Sequence, residues 1–234
     1  MSSEKYYIFE SAKAPQEIGP EFPQIQMLKS NYDMESEKSI FSFLQNSSTK
    51  ISKIKPDLNA FILQKESLPT DLISNAITAA HGFLVSLKLK RVLEGFKLPL
   101  HEFFEAHVIH NNVHLNDYFY LHIISDLTEY VDYINSIFYY HKRFSSEKHY
   151  IQVKSKQDYN LIKKKIRIEF PNTYIKISAE KIVINSPIDN YLDFFQIGGF
   201  DFNFYTSERL MEVIKASRLS GINLSKSNLS VFSP

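Results

Sequence analysis

Three features of the sequence predict an α+β fold, a mixed and largely antiparallel sheet with flanking helices. Short runs rich in aromatic and β-branched residues recur between turn residues, and amphipathic helical patterns are few and widely spaced. One strand–serine–helix device also appears twice, at "GFLVSLKLKRVLEGF" and "FNFYTSERLMEVIKASRL", which divides the chain into two loosely similar halves. The halves are expected at 1–127 (strands plus a capped helix at 86–97) and 128–234 (a helix near 156–168, strands and a capped helix at 207–219). At 234 residues and 44% hydrophobic, they can form one integrated unit around a substantial core.

In chain order, "KYYIFE" (5–10) reads as an opening strand, because aromatic and β-branched residues dominate it. Pro15, Pro20 and Pro23 forbid regular structure in their vicinity, and "SEKSIFSFLQN" (36–46) fits a short helix burying Ile40, Phe41 and Leu44. "NSSTKISK" (46–53) has linker composition. "DLNAFILQ" (57–64) reads as a strand, whereas 69–82 is ambiguous, its apolar spacing at Leu72, Ile73, Ala76, Ile77 and Ala80 fitting a helix. After a short strand at 83–85, Ser86 caps a helix that turns Leu89, Val92, Leu93 and Phe96 to one face, and Pro99 stops it. "LHEFFEAHVIH" and "DYFYLHIIS" suit paired strands, with turn residues between them in "HNNVHLND". Residues 128–141 are undecided between strand and helix. "KQDYNLIKKKIRIEF" predicts a helix closed by Pro171; "KIVINS" and "LDFFQIG" predict strands, with Gly198 and Gly199 at a turn or bulge.

The serine of the repeated device accepts free N–H groups of the first helical turn. Superposing Ser86 on Ser207 aligns Phe83 with Phe204, Leu89 with Leu210, Val92 with Val213, Leu93 with Ile214 and Leu98 with Leu219. Neither serine lies in a G-x-S-x-G turn, so both read as caps and not nucleophiles.

Composition excludes several classes of function. The balance of 27 Lys and Arg against 26 Asp and Glu gives no global field for nucleic acid or an anionic membrane. The lack of cysteine excludes disulfides, thiolate metal sites and cysteine nucleophiles. "MSSEKYYIFES" is too short and too acidic for a signal-peptide core, and no run approaches ~20 apolar residues, so a cytoplasmic protein is expected.

The strings "FLVSLKLKRVLEGFKLP" and "FYTSERLMEVIKASRLSGINLS", with "HEFFEAHV" and "DYFYLHI" after the first, resemble the immunity proteins of bacterial polymorphic-toxin systems, and in particular the family numbered eleven of that series. The resemblance rests on Val85, Ser86, Leu89 and Leu93 in the first stretch, and on Ser207, Glu208, Arg209, Leu210, Leu219 and Gly221 in the second. It covers roughly residues 70–125 and 193–225; Leu87 stands where the family carries an acidic residue, and 11–56 lie outside it. The implied function is to bind a cognate toxin domain by direct protein contact and neutralise it. The resemblance calls for no active site, cofactor, small-molecule substrate, membrane or nucleic acid.

Three constellations offer other chemistry. His101, His107, His110, His114 and His122, with Glu102, Glu105 and Asp117 nearby, are metal-ligand types that would serve a metal-dependent enzyme, but they lack a specific spacing such as H-E-x-x-H. Lys154, Lys156, Lys163, Lys164, Lys165 and Arg167 would suit a small nucleic-acid-binding module. Acids interleave with tyrosines around 126–140 and 189–201 without a spacing that selects a catalytic pair. Tyr130, Asp132, Tyr133, Tyr191, Asp193 and Asp201 are expected to form an acidic aromatic docking face toward a basic toxin.

Overall fold

The computed structural model describes residues 5–46, 53–78, 82–185 and 192–232. The chain opens with β1 (Tyr6–Ser11), a helical turn α1 (Pro15–Ile18), β2 (Ile25–Leu28) and α2 (Ile40–Asn46). Next come β3 (Phe61–Leu63), β4 (Leu72–Ile73), β5 (Gly82–Ser86), α3 (Leu87–Leu93), β6 (Leu100–His110) and β7 (Val113–Ile124). Then follow β8 (Ile137–Lys142), β9 (His149–Ile151), α4 (Lys156–Glu169) and β10 (Ile175–Asn185). The chain closes with β11 (Phe194–Gly198), β12 (Asp201–Ser207), α5 (Glu208–Ala216), β13 (Ile222–Lys226) and β14 (Leu229–Phe232).

These strands form three sheets, ordered β11-β12-β1-β13, β14-β10-β8-β9 and β2-β3-β6-β7-β5-β4. All ladders are antiparallel except β3–β6 and β10–β14, so the fold is α+β with mixed sheets. Each sheet buries a face because its inward residues alternate with polar ones. Phe9, Phe194 and Phe204 of the first sheet meet Leu72, Phe83, Val85 and Leu121 of the third, together with Leu89 and Leu93 of α3 and Leu210 and Ile214 of α5. On its other face the first sheet packs Tyr6, Phe195, Ile197 and Tyr205 against Phe138, Ile177, Ile182 and Ile184 of the second sheet, with Tyr159 and Ile166 of α4. On the far side of the third sheet, Ile40 and Phe43 of α2 pack against Ile25 and Leu28 of β2, Phe61 of β3, Phe104 of β6 and Tyr120 of β7.

The two serine-capped helices are present as expected. Ser86 Oγ accepts the Leu89 amide and Ser207 Oγ the Leu210 amide. Both helices are shorter than the 86–97 and 207–219 read from the sequence. The equivalence extends well beyond them: β4-β5-α3-β6 with β7 matches β11-β12-α5-β13 with β1, in the same spatial order. The strand that completes the second unit is therefore the N-terminal one, β1, which pairs with β12 and β13.

Several expectations are corrected. Residues 69–78 are not helical. Leu72 and Ile73 form a strand buried on both sides, and the polar side chains that follow divert the backbone: Ser74 Oγ accepts the Gln24 amide, and Asn75 Oδ1 accepts the Thr78 amide. Pro15 starts a helical turn, where its missing N–H costs nothing. The undecided stretch 128–141 divides into a single 3₁₀ turn at Thr128–Tyr130 and β8. Within α2 the fully buried residues are Ile40 and Phe43; Phe41 and Leu44 are only partly covered. The β6–β7 turn is just Asn111 and Asn112, both at positive φ (50° and 65°) as a two-residue hairpin requires. The linker expected at 46–53 lies, except for its two ends, outside the described residues.

Candidate functional site

Of the six residues expected to form an acidic aromatic face, the five that are described do not share one. Tyr133 is buried, stacks on Phe138 and donates its hydroxyl to Thr128 O. Asp201 is buried and accepts the Tyr205 hydroxyl; burial pushes its carboxyl above the usual range despite that bond. Asp193 is fully buried. Asp132 sits at the surface but caps a turn, accepting the amides of Ile134 and Asn135, and Tyr130 is 37% exposed. Tyr191 lies outside the described residues. Asp201 opens β12 and points inward by strand alternation, whereas Asp193 lies in the bend before β11 and is held inside by its own hydrogen bonds; composition along the chain reveals neither.

Asp193 belongs to a lock that joins the two similar units. Its Oδ1 accepts Ser207 Oγ at 2.6 Å, its Oδ2 accepts the Lys97 amide at 2.9 Å beyond the end of α3, and Arg209 spans both oxygens. Burial opposes ionisation, yet the bonds from Arg209, Ser207 and Lys97 hold this carboxyl below its ordinary value. Asp71 repeats the arrangement: Oδ1 accepts Ser86 Oγ at 2.6 Å, and Oδ2 accepts the Ser220 amide at 2.9 Å beyond the end of α5. Each aspartate thus fastens its own helix start and the other unit's helix exit. Ser86, Ser207 and Arg209 are accordingly engaged in structural contacts.

The histidine stretch is dispersed. His101 Nδ1 lies 2.8 Å from Pro99 O, His110 Nε2 lies 3.1 Å from Lys65 O, and His122 is buried against Phe43 and Tyr120. Among the described residues no group of three or more His, Asp or Glu side chains converges as a metal site would require. No helix among them is long and apolar enough to cross a membrane.

The second sheet presents the surface best placed for recognition. Its inner face is covered by α4 and the first sheet, while the outer face over β9, β8 and the first half of β10 is open. Alternation along β8 puts Ile137, Tyr139 and His141 on that side, where Tyr139 lies opposite Tyr150 and His141 opposite Lys176. Tyr150 is 60% exposed, and its hydroxyl and Lys148 both reach Glu180 at 2.7 Å. At the end of β8, Phe144 is 94% exposed and held at φ 64°, a left-handed conformation that is uncommon for a large side chain. The Arg143 guanidinium covers its ring at 4.8 Å and also lies 5.8 Å from the ring of Tyr174. Tyr174 in turn lines a cavity of about 150 Å³ with Lys163 and Arg167 of α4, so this end of the sheet is continuous with the basic helix.

Charge is concentrated here. Residues 137–181 carry eleven Lys and Arg against four Asp and Glu, in a chain balanced at 27 against 26. Lys142, Arg143, Lys163, Arg167 and Lys176 have no carboxylate within ion-pair distance among the described residues, unlike Lys148 and Lys156. Near-neutral totals had concealed this polarity. The signal was present in the sequence as a charge count over a window, but the face it belongs to depends on the strand register.

The chain matches no protein-family model and no curated protein sequence.

Proposed function

We propose that this chain is an immunity protein that binds a cognate bacterial toxin domain and neutralises it by direct contact, acting in the cytoplasm of the producing cell. The observation that carries this reading is the open face of the second sheet, where exposed aromatic rings sit among unpaired cations. That combination supplies both terms of a specific interface: rigid aromatic anchors that hold, and charges that steer. The resemblance carried by the capped helices supports the same reading, since their serines support a scaffold. The sign of the charge is opposite to the acidic face expected from sequence, so the toxin surface that docks here is acidic.

A protein partner is favoured over nucleic acid by exposed aliphatic side chains on the open face and on the neighbouring helix α4. Ile137, Leu161 and Ile168 are exposed at 43%, 57% and 80%, and they offer nothing to phosphates or base edges. The deciding experiment is co-expression with the toxin domain encoded next to the gene. The wild type should restore growth, whereas a folded Arg143→Glu/Tyr150→Ala/Lys176→Glu variant should not. Equal rescue by that variant refutes the face, and failure of the wild type refutes the function. Binding of RNA instead of the toxin would assign the same face to nucleic acid.

A further inference from the structure

A cavity of about 410 Å³ opens between the first and third sheets, on the seam between the two similar units. It forms because two ladders part there. The β1–β12 ladder runs from Tyr6–Ser207 and ends at Phe9–Phe204, so Glu10 and Ser11 continue alongside β13 alone, and β4 leaves β5 after Ile73. Its floor is aromatic. Phe9, Phe83 and Phe204 line it, with ring centroids 5.3 Å apart for Phe9–Phe83 and 4.5 Å for Phe83–Phe204, and Phe194 stands behind them. Phe22 and Phe202, 47% and 59% exposed, flank the mouth.

One polar side chain in the wall presents a donor to the cavity. Asn75 is only 5% exposed, and its Oδ1 is turned to the Thr78 amide and hydroxyl at 2.7 and 2.8 Å. No acceptor among the described residues takes its Nδ2, which leaves that donor to the cavity that Asn75 lines. Nδ2 is not among the fully buried polar atoms, so it reaches the open space of the cavity, and a few placed polar groups in a mostly apolar wall are what orient a ligand. At the rim, Glu10 pairs with Lys13 at 3.4 Å and accepts Asn223 Nδ2, so the rim charges are matched within the protein.

We propose that this cavity is a binding site for a small neutral molecule carrying an aromatic ring and a hydrogen-bond acceptor. The ring extends the edge-to-face cluster of phenylalanines, and the acceptor takes Asn75 Nδ2. The volume lies within the range of small-molecule sites, roughly 300–1,000 Å³. The site is independent of the proposed toxin-docking face, and its test does not require a toxin.

Benzamide is a suitable probe, because it joins a phenyl ring to a carbonyl acceptor, and toluene is its acceptor-free counterpart. Titrated into ¹⁵N-labelled protein, benzamide should shift the Asn75 side-chain amide and the Gly82 and Phe83 backbone amides saturably. A dissociation constant on the order of millimolar is expected for so small a ligand. Asn75→Asp keeps the Thr78 turn but removes the donor, and should weaken benzamide about tenfold while leaving toluene unchanged. Ala76→Trp, at an exposed position on the wall, should abolish both. Absence of saturable shifts at these amides, or benzamide affinity unchanged in Asn75→Asp, overturns the proposal. Should Asn75→Asp not fold, unaltered benzamide binding by Ala76→Trp does so instead.

Discussion

Replacing Asp193 by alanine should destabilise the fold much more than replacing Asp71, although the two occupy equivalent positions. In each case the variant removes the acceptor of a cap serine and of a backbone amide in the other unit. The surroundings differ. Asp193 has a side chain 1% exposed, so water cannot replace it, and leaving the Ser207 hydroxyl and the Lys97 amide unsatisfied costs about 1–3 kcal/mol each. Arg209 adds little, because its side chain is 58% exposed and rehydrates; a pair of that kind is worth about 0–1 kcal/mol. Together these give roughly 3–5 kcal/mol for Asp193→Ala. Asp71 is only partly buried, and water reaching its partners should reduce the cost to about 1–2 kcal/mol. Urea unfolding measures both values directly, with an unchanged m-value confirming that the folded state remains compact. The Asp193→Ala/Ser207→Ala double variant should be less destabilised than the two single effects added, since they share one interaction. A cost below about 0.5 kcal/mol for Asp193→Ala, or a larger one for Asp71→Ala, would show that the lock does not hold the units together.

Four further outcomes are expected. Ser86→Ala and Ser207→Ala should each lose a helix cap, about 0.5–2 kcal/mol in thermal or urea unfolding, with toxin affinity per folded molecule unchanged. Gly221→Ala should cost at least ~2 kcal/mol: the residue is at φ 78°, and an added Cβ would lie 2.2 Å from Leu72 O. Because the folded-state pKa of Asp193 is lowered, its contribution is complete above the unfolded value and is lost as pH falls through the folded one. The stability gap between wild type and Asp193→Asn should therefore be constant above about pH 5 and narrow below about pH 4. Asp201 has the opposite sign, its folded value being raised. Asp201→Asn should therefore gain stability relative to the wild type as pH rises through that folded value in a series of melting curves.

The sequence made the caps legible because a cap is local: a serine, an apolar triplet and a stop within about a dozen residues. It also disclosed β1, the basic helix α4 and most of the strands. The aspartate lock was not legible, since Asp71 and Asp193 precede their cap serines by 15 and 14 residues and clamp backbone on the opposite unit. The extent of the internal similarity was hidden for a related reason: the last strand of the second unit is supplied by the start of the chain, so no continuous repeat exists to be read. Tyr133, Asp193 and Asp201, expected at the surface, are buried, because the neighbours of an acid or a tyrosine along the chain do not decide whether it faces core or solvent. Strand alternation places Asp201 inside and leaves Phe202 exposed, whereas Asp193, in the bend before β11, is held inside by Ser207, Lys97 and Arg209.

The placement of the lock relative to the open face bears on how the proposed docking surface could diversify. The lock aspartates and the phenylalanine cluster join the units built on the first and third sheets, whereas Tyr139, Tyr150, Arg143 and Lys176 belong to the second sheet and the turn after β8. Substitutions on that outer face remove no buried group and break no cap, so each should change stability by less than about 0.5 kcal/mol. The same substitutions act fully on a docked partner, where truncating a central aromatic anchor can cost about 2 kcal/mol or more. If the proposed face is the docking site, stability and recognition are carried by different sheets, and the face could be rewritten for a new toxin without re-solving the fold. A set of single substitutions at Tyr139, Arg143, Tyr150 and Lys176 should accordingly scatter widely in toxin affinity while clustering in melting temperature. A correlated fall in both would place the face inside the folding core and remove the basis for this separation.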